Sequence, residues 1–283
     1  MLPILTLKSI RKWRDRLFML GERIQDRWRL PAGKRILFSP WPEIEAPVRR
    51  GFQAMRHQIS FGPVPPGGGD FDLVVPVSVE ALQATDDRLR RRNPLPIPLP
   101  AAVDLCDDKA ALNARLRKEG FGLHVPGEAR VSAYPYMLKR RRDAGAVNAY
   151  HIADADGEAA HRDKIDSLDY LRQEWIEGAV EYSEHLLLIR GRLRRALTVS
   201  YRMQAERSIR GRDPVLLHRR CHSRHLRLFE SMLNAIGFEG LCCVNYKIRG
   251  GIPIILEINP RFGFSLAPFF GAFVRSLDWQ RGR

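Results

Sequence analysis

The stretch IILEINPR, residues 254–261, carries the most informative pattern of this chain, an apolar run that delivers a carboxylate, an amide, a proline and an arginine. Glu257 and Asn259 are separated by one residue, and on a β-strand this spacing directs both side chains to the same face. The alternative is a core strand that closes in a plain Asn-Pro-Arg turn, because short motifs also match by chance. Motifs elsewhere in the chain are needed to distinguish a functional motif from a plain turn.

A carboxylate beside an amide oxygen forms a hard-oxygen site of the kind that Mg²⁺ or Mn²⁺ prefers, and such an ion points to a phosphate ligand, most often ATP. Two lysines upstream fit phosphate contacts. Lys139 ends an apolar strand, which would project its charge from a rigid element. Lys109 opens a predicted helix, where the backbone dipole favours an anion. Each lysine alone also fits a solvated surface.

Residues 172–183 are typical of a strand, a glycine turn and a second strand. The backbone edge at Glu174, Trp175 and Ile176 offers groups that pair with an adenine. Glu181 offers a carboxylate that accepts two hydrogen bonds from ribose hydroxyls. Surface charge remains the alternative for each of these residues alone.

The order of strands and helices predicts an α/β (α+β) fold. Alternation between residues 35 and 91 indicates a small Rossmann-like domain with a parallel sheet, and a proline-rich connector follows at 93–100. We expect a basic amphipathic helix over 1–32, an N-terminal α/β domain over 33–103 and a second domain over 104–283. Predicted strands cover 35–39, 72–77, 136–139, 170–176, 180–189, 193–201, 241–248 and 253–258, and predicted helices cover 45–58, 79–91, 107–119 and 216–236.

The charge of the chain indicates an anionic partner. Its 47 Lys and Arg outnumber 32 Asp and Glu, which gives a formal net charge of +15. No nucleic-acid motif is visible, so we do not expect nucleic acid to be the main partner. No apolar run reaches the length of a membrane span, and no signal peptide is evident. The four cysteines show neither metal spacing nor a disulfide-rich pattern, and we interpret them as small core residues in a reducing cytoplasm.

Residues 4–30 form a basic amphipathic pattern with two explanations. In one, this helix attaches to an anionic membrane surface or to a partner protein. In the other, its tryptophan stripe packs on the protein itself. A homodimer is compatible with either.

Taken together, these motifs resemble the ATP-grasp superfamily, as in D-alanine–D-alanine ligases and the large subunit of carbamoyl phosphate synthetase. The resemblance spans about residues 35–275 and implies an ATP-grasp fold with a small pre-ATP-grasp domain. It implies roles for nine residues: Lys109 and Lys139 on the phosphates, the backbone of Glu174, Trp175 and Ile176 on adenine, Glu181 on ribose, and Glu257, Asn259 and Asn245 on the metal. It also implies that Arg261, with Lys139, takes part in catalysis.

The activity implied by the resemblance is an ATP- and Mg²⁺-dependent ligase that joins a carboxylate to an amine through an acyl phosphate. Arg202, Arg207, Arg210 and Arg212 suggest an acidic carboxylate substrate, although a solvated basic loop explains them equally well. Two departures from the family pattern keep a degenerate ATP-binding or scaffold protein as the alternative. Asn245 stands where an acid or glutamine is common, and the flap expected at 140–150 is rich in arginine rather than glycine.

Overall fold

The computed structural model describes residues 33–277 and Trp279, apart from Ala54, Ala144 and the remaining C-terminal positions. The basic helix predicted over 1–32 lies outside the described residues. The described residues divide into two compact units, one of 33–97 together with the C-terminal segment from 261 and one of 98–260. The domain boundary expected at 103/104 stays a prediction.

The first unit contains a parallel three-stranded sheet of order β2-β1-β3. Phe38 of β1 is fully buried, and its ring packs edge-on against Phe262 and Phe270, so the C-terminal segment completes this core. The elements are β1 (Arg35–Phe38), α1 (Pro42–Phe52), β2 (Gln58–Phe61), β3 (Leu73–Val75), α2 (Val79–Gln83), α3 (Asp87–Arg92) and α9 (Gly271–Val274), with 3-10 turns at Pro66–Gly68 and Phe264–Phe269.

The helix predicted over 79–91 is wrong in extent, because the chain breaks it into α2 and α3. Ser78 caps α2 by accepting a hydrogen bond from the Ala81 amide. Asp86 starts α3 by accepting one from the Leu89 amide, so a second cap begins a second helix.

The second unit contains two antiparallel sheets. The large sheet has the order β11-β10-β7-β8-β9, and the small sheet has the order β5-β4-β6. The elements are α4 (Pro100–Asp107), α5 (Lys109–Lys118), β4 (Tyr136–Arg140), β5 (Ala149–Ile152), α6 (Ala155–Ala159), α7 (Arg162–Ile165), β6 (Tyr170–Glu174), β7 (Val180–Ile189), β8 (Arg192–Met203), β9 (Val215–Cys221), α8 (Leu226–Ala235), β10 (Gly240–Arg249) and β11 (Ile252–Asn259), with a 3-10 turn at Gly122–His124.

One face of the large sheet forms the main core of this unit. Leu186 and Leu188 of β7 pack there with Phe229 of α8 and Leu112 of α5. Because side chains alternate along a strand, Glu181 and Ser183 of β7 point to the opposite face, which we call the cleft face.

The helix predicted over 216–236 is wrong in its first half. Residues 215–221 form β9, which pairs with the otherwise open edge of β8. The helix starts only after His225, whose backbone N–H donates to the Ser223 hydroxyl. Pairing with β8 supplies backbone hydrogen bonds that local helical spacing did not reveal. Within the described parts of the chain, no helix is both long and apolar enough to cross a bilayer.

Candidate active site

Glu257 is the centre of the site and lies on β11 beside two lysines. Lys109 Nζ lies 3.6 Å from Glu257 Oε2. Lys139 Nζ donates to the carbonyl of the preceding residue, Leu256, at 2.8 Å. The structure therefore brings together three of the residues that the sequence selected, from α5, β4 and β11.

A β-bulge places Glu257 and frees the carbonyl that Lys139 contacts. Asn245 of β10 pairs with Glu257, and the next residue, Tyr246, pairs with Ile255, so Leu256 is an extra residue on β11. Ile255 is buried in the main core. Without the extra residue Glu257 would share that face, so the bulge directs Glu257 to the cleft face.

The charge state of Glu257 follows from its neighbours. Burial by itself would raise the pKa of the carboxyl, and the Lys109 ammonium is the largest of several interactions that together outweigh it. Asn259 and Asn245 donate to Oε1 at 2.9 and 2.7 Å, and with Lys139 these contacts lower the pKa of Glu257 to about 2. Glu257 is therefore a carboxylate at physiological pH.

Lys139 is buried, and its burial lowers the pKa of the ammonium to about 8, although the charge of Glu257 opposes the shift. Lys109 is held by the start of α5. Asp108 accepts hydrogen bonds from the amides of Ala110 and Ala111, and the Lys109 amide donates to the Arg141 carbonyl. Because these amides already have partners, α5 would bind an anion through the Lys109 side chain and not through its first amides.

Glu181 lies on the cleft face of β7 and pairs with an arginine of the loop over residues 204–213, which we call the arginine loop. Arg210 Nε donates to Glu181 Oε1 at 2.5 Å and the guanidinium lies 4.6 Å from the centre of the Tyr201 ring. Burial alone would lower the pKa of Arg210, but the charge of Glu181, the neighbouring Tyr201 and the hydrogen bond to Glu181 together raise it above its ordinary value.

The arginine loop also reaches the small sheet. Arg212 Nη1 donates to the Ala149 carbonyl, and its guanidinium lies over the Tyr150 ring. Gly211 has φ +100°, and a Cβ there would come 2.3 Å from the Gly145 carbonyl oxygen. The loop therefore spans from β7 to β5 and packs tightly on the segment predicted as a flap. Of the four arginines singled out in the sequence, Arg210 and Arg212 are structural contacts in this conformation.

The predicted adenine segment is partly occupied by protein. The Glu174 amide donates to the Gly127 carbonyl, and the Glu174 carboxylate binds Arg249 at 2.8 Å. The Ile176 carbonyl accepts a hydrogen bond from Lys247 Nζ, which also lies 4.9 Å from the Trp175 ring centre. Adenine binding at this segment stays a prediction.

Two residues on the cleft side of the small sheet, His151 and Gln173, were not predicted as site residues. Met137 of β4 pairs with His151 on one side and Gln173 on the other, and it shares a face with Lys139. Gln173 is buried, and its Oε1 has no hydrogen-bond partner among the described residues; the same holds for His151 Nε2. For Gln173 the available signal was a polar residue inside a predicted strand, and only the register shows which face it occupies; His151 lies on β5, which was not predicted.

The donor set at Glu257 fits one hard divalent cation. Glu257 supplies a charged carboxylate, and Asn259 supplies an amide oxygen that carries no hydrogen bond from the described residues. The third predicted ligand, Asn245, directs its amide nitrogen toward Glu257, and its oxygen accepts from Ser183 at 2.7 Å. Arg261 belongs to the first unit, where its guanidinium lies 5.7 Å from the Trp41 ring centre. Its catalytic role stays a prediction.

Comparison with known proteins agrees with this architecture. A model of the ATP-grasp domain matches residues 106–265. The fold is similar to D-alanine–D-alanine ligase from Bacillus anthracis, with a TM-score of 0.58 and 12% identity over 86% of this chain and 91% of that chain. It is also similar to L-amino acid ligase from Bacillus licheniformis, with a TM-score of 0.57 and 14% identity over 85% and 70%.

A third similar structure is N5-carboxyaminoimidazole synthetase from Staphylococcus aureus complexed with ADP, with a TM-score of 0.58 and 14% identity over 83% of this chain and 72% of that chain. No curated protein matches the sequence. These identities establish the fold alone, whereas the domain match covers more than half of the chain. The chain belongs to the ATP-grasp family, as the order of its motifs predicted.

Proposed function

We propose that this chain is an ATP-dependent ligase that joins a carboxylate to an amine through an acyl phosphate. The observation that carries the proposal is the convergence of Lys109 and Lys139 on the ionised Glu257. Two of the proteins with a similar fold are named ligases, and a third was solved with ADP. These similarities support the reaction class without defining the substrates.

The proposed reaction has two steps. A substrate carboxylate oxygen attacks the γ-phosphorus of ATP, which forms the acyl phosphate and releases ADP. An amine nitrogen then attacks the acyl carbon, which expels inorganic phosphate and leaves an amide after loss of a proton. The buried ammonium groups of Lys109 and Lys139 would hold phosphate oxygens in both steps, since charge at a desolvated position acts strongly.

Glu257 and Asn259 would hold Mg²⁺ or Mn²⁺, which neutralises charge on the phosphates. Glu257 remains ionised throughout the physiological range, so it needs no proton release to serve as a ligand. The arginine loop would exclude water from the acyl phosphate, because it joins β7 to β5 over the cleft face. Arg261 would stabilise the transferring phosphoryl group.

Phosphate release across a panel of carboxylic acids with and without amines tests the proposal. A ligase releases phosphate over many turnovers only when both substrates are present. Glu257→Gln and Lys139→Met should slow release at least about 100-fold, which corresponds to roughly 3 kcal/mol at the transition state. Glu128→Gln and Lys118→Met make the same changes at exposed positions, so they are matched controls and should keep full activity. Full activity of Glu257→Gln would refute the assignment.

A nucleotide-binding module without turnover is the second candidate, and the Arg210–Glu181 ion pair is the observation that favours it. In that case the chain would bind ADP but release no phosphate with any pair of substrates. The membrane or protein contact through residues 4–30, the homodimer and the cytoplasmic location stay predictions beside either function.

A further inference from the structure

Asn245 has different partners at the two ends of its amide. Its Nδ2 donates to Glu257 Oε1 at 2.7 Å. Its Oδ1 accepts from Ser183 Oγ at 2.7 Å and from Cys243 Sγ at 3.6 Å. Asn245 and Ser183 are 6% and 2% exposed, so both ends of the amide are satisfied inside the protein and not by solvent.

The chemistry of the neighbours fixes this orientation. A carboxylate only accepts hydrogen bonds, so the edge of the amide that faces Glu257 has to be the NH₂ group. The oxygen then faces Ser183 and Cys243, which both carry a proton to donate. Turning the amide over would place an oxygen against the carboxylate, which is unfavourable in a buried site.

The sheet register makes the arrangement rigid. Asn245 pairs with Glu257 on β11 and with Ser183 on β7, so the three side chains lie in one row across the cleft face. Directly opposed side chains on neighbouring strands lie close enough for such contacts. Ser183 therefore orients Asn245, and Asn245 in turn orients Glu257.

The charges of the cleft also limit how many metal ions it can hold. A Mg²⁺-type ion is usually held by one or two carboxylates together with substrate phosphates, and in this cleft Glu181 is held by Arg210 while Glu257 is already assigned to the first ion. The parts of the chain that the structure describes contain no group of three His, Cys, Asp or Glu side chains able to hold a metal. Asn245 adds no charge, and its oxygen is already bonded.

We propose that Asn245 is a positioning residue that Ser183 orients, and that the chain binds one divalent ion with the nucleotide rather than two. This inference rests on the proposed nucleotide site. It departs from the role that the family resemblance implies for Asn245, because the amide presents its nitrogen to Glu257 and not its oxygen to a metal.

Counting bound Mn²⁺ tests the proposal. The full chain is titrated with Mn²⁺ in the presence of a saturating non-hydrolysable ATP analogue, and free Mn²⁺ is measured by electron paramagnetic resonance. The wild type should retain one Mn²⁺ per chain, and Asn245→Asp should retain two, because the new carboxylate supplies charge and a free oxygen. Asn234→Asp, which makes the same change at an exposed position of α8, is the matched control and should retain one.

A second pair of variants tests the role of Ser183. Ser183→Ala should keep one Mn²⁺ per chain with about tenfold weaker affinity, because Asn245 is no longer held by the Ser183 hydroxyl and orients Glu257 less well. Ser183→Thr restores the hydroxyl and should restore the affinity. Two Mn²⁺ per wild-type chain, or unchanged affinity in Ser183→Ala, would overturn the proposal. If Asn245→Asp does not fold, the wild-type count and the two Ser183 variants still test the proposal.

The proposed function and this inference fail in different ways. A wild type that retains neither analogue nor Mn²⁺ refutes both. One Mn²⁺ retained with the analogue, without phosphate release from any substrate pair, supports the inference and refutes the ligase.

Discussion

Arg210 donates a hydrogen bond of 2.5 Å to Glu181, the carboxylate that we expect to face the nucleotide ribose. The guanidinium and the ribose hydroxyls would be donors to the same carboxylate, and Arg210 lies on a loop that also contacts β5. Nucleotide binding at this site therefore requires that the Glu181 contact with Arg210 be exchanged or shared.

Removal of Arg210 should strengthen nucleotide binding. We expect Arg210→Met to bind ADP about fivefold more tightly by calorimetry. In the wild type, breaking the Arg210–Glu181 hydrogen bond when the nucleotide binds costs roughly 1 kcal/mol, and the variant has no such bond to break. Arg207→Met changes the same loop without the Glu181 contact and should leave the affinity unchanged. Weaker binding by Arg210→Met would mean that Arg210 contacts the nucleotide itself.

Gln173 should contribute to recognition of the base. Its buried Oε1 is an acceptor without a partner among the described residues, in a row that faces the cleft. Gln173→Met keeps the volume and removes the acceptor, so ADP affinity should fall about tenfold while tripolyphosphate affinity stays constant. Gln53→Met, at the exposed residue that follows α1, is the control. Equal losses for ADP and tripolyphosphate would instead indicate general disruption of the cleft.

Glu184 gives a pH dependence of stability. It is fully buried on the core side of β7, and burial raises its pKa to about 7, although hydrogen bonds from Thr198, Ser223 and Tyr246 oppose the shift. The folded protein therefore binds a proton more tightly than the unfolded chain. Stability should fall as the pH rises from about 4.5 to 7, and remain lower above that range.

A neutral isostere should remove this dependence. Between pH 5 and pH 8, the free energy of unfolding of the wild type should fall by roughly 1 to 3 kcal/mol more than that of Glu184→Gln. Denaturant unfolding at both pH values measures the difference. Parallel pH profiles for the two proteins would contradict the assignment of the titration to Glu184.

Gly211 should be required for the arginine loop to pack. Its φ of +100° and the Gly145 carbonyl, which would lie 2.3 Å from a Cβ, both oppose a side chain. Gly211→Ala should accelerate proteolytic cleavage within residues 204–213 several-fold, because the strain costs about 1 to 3 kcal/mol. Gly122→Ala, where a Cβ meets nothing closer than 4.0 Å, should leave the rate unchanged.

Much of the strand content could be predicted from local patterns. The apolar runs at 136–139, 180–189 and 241–248 form β4, β7 and β10 in close agreement. The structure also contains β2 and β5, which were not predicted from the sequence, because four residues are too few to establish a period. The stretch 215–221 carried apolar residues at helical spacing, and its pairing with β8 prevailed over that local preference.

The sequence by itself determined the family, because ordered motifs with fixed residue types are readable without coordinates. It also selected Lys109, Lys139 and Glu257, which the structure brings together. Only the tertiary structure decided which way the Asn245 amide points, since its direction depends on its neighbours across the sheet. The bulge at Leu256 was likewise decided by the tertiary structure. An extra residue on one strand has meaning only against its partner strand, and that pairing turns Glu257 from the core to the cleft face.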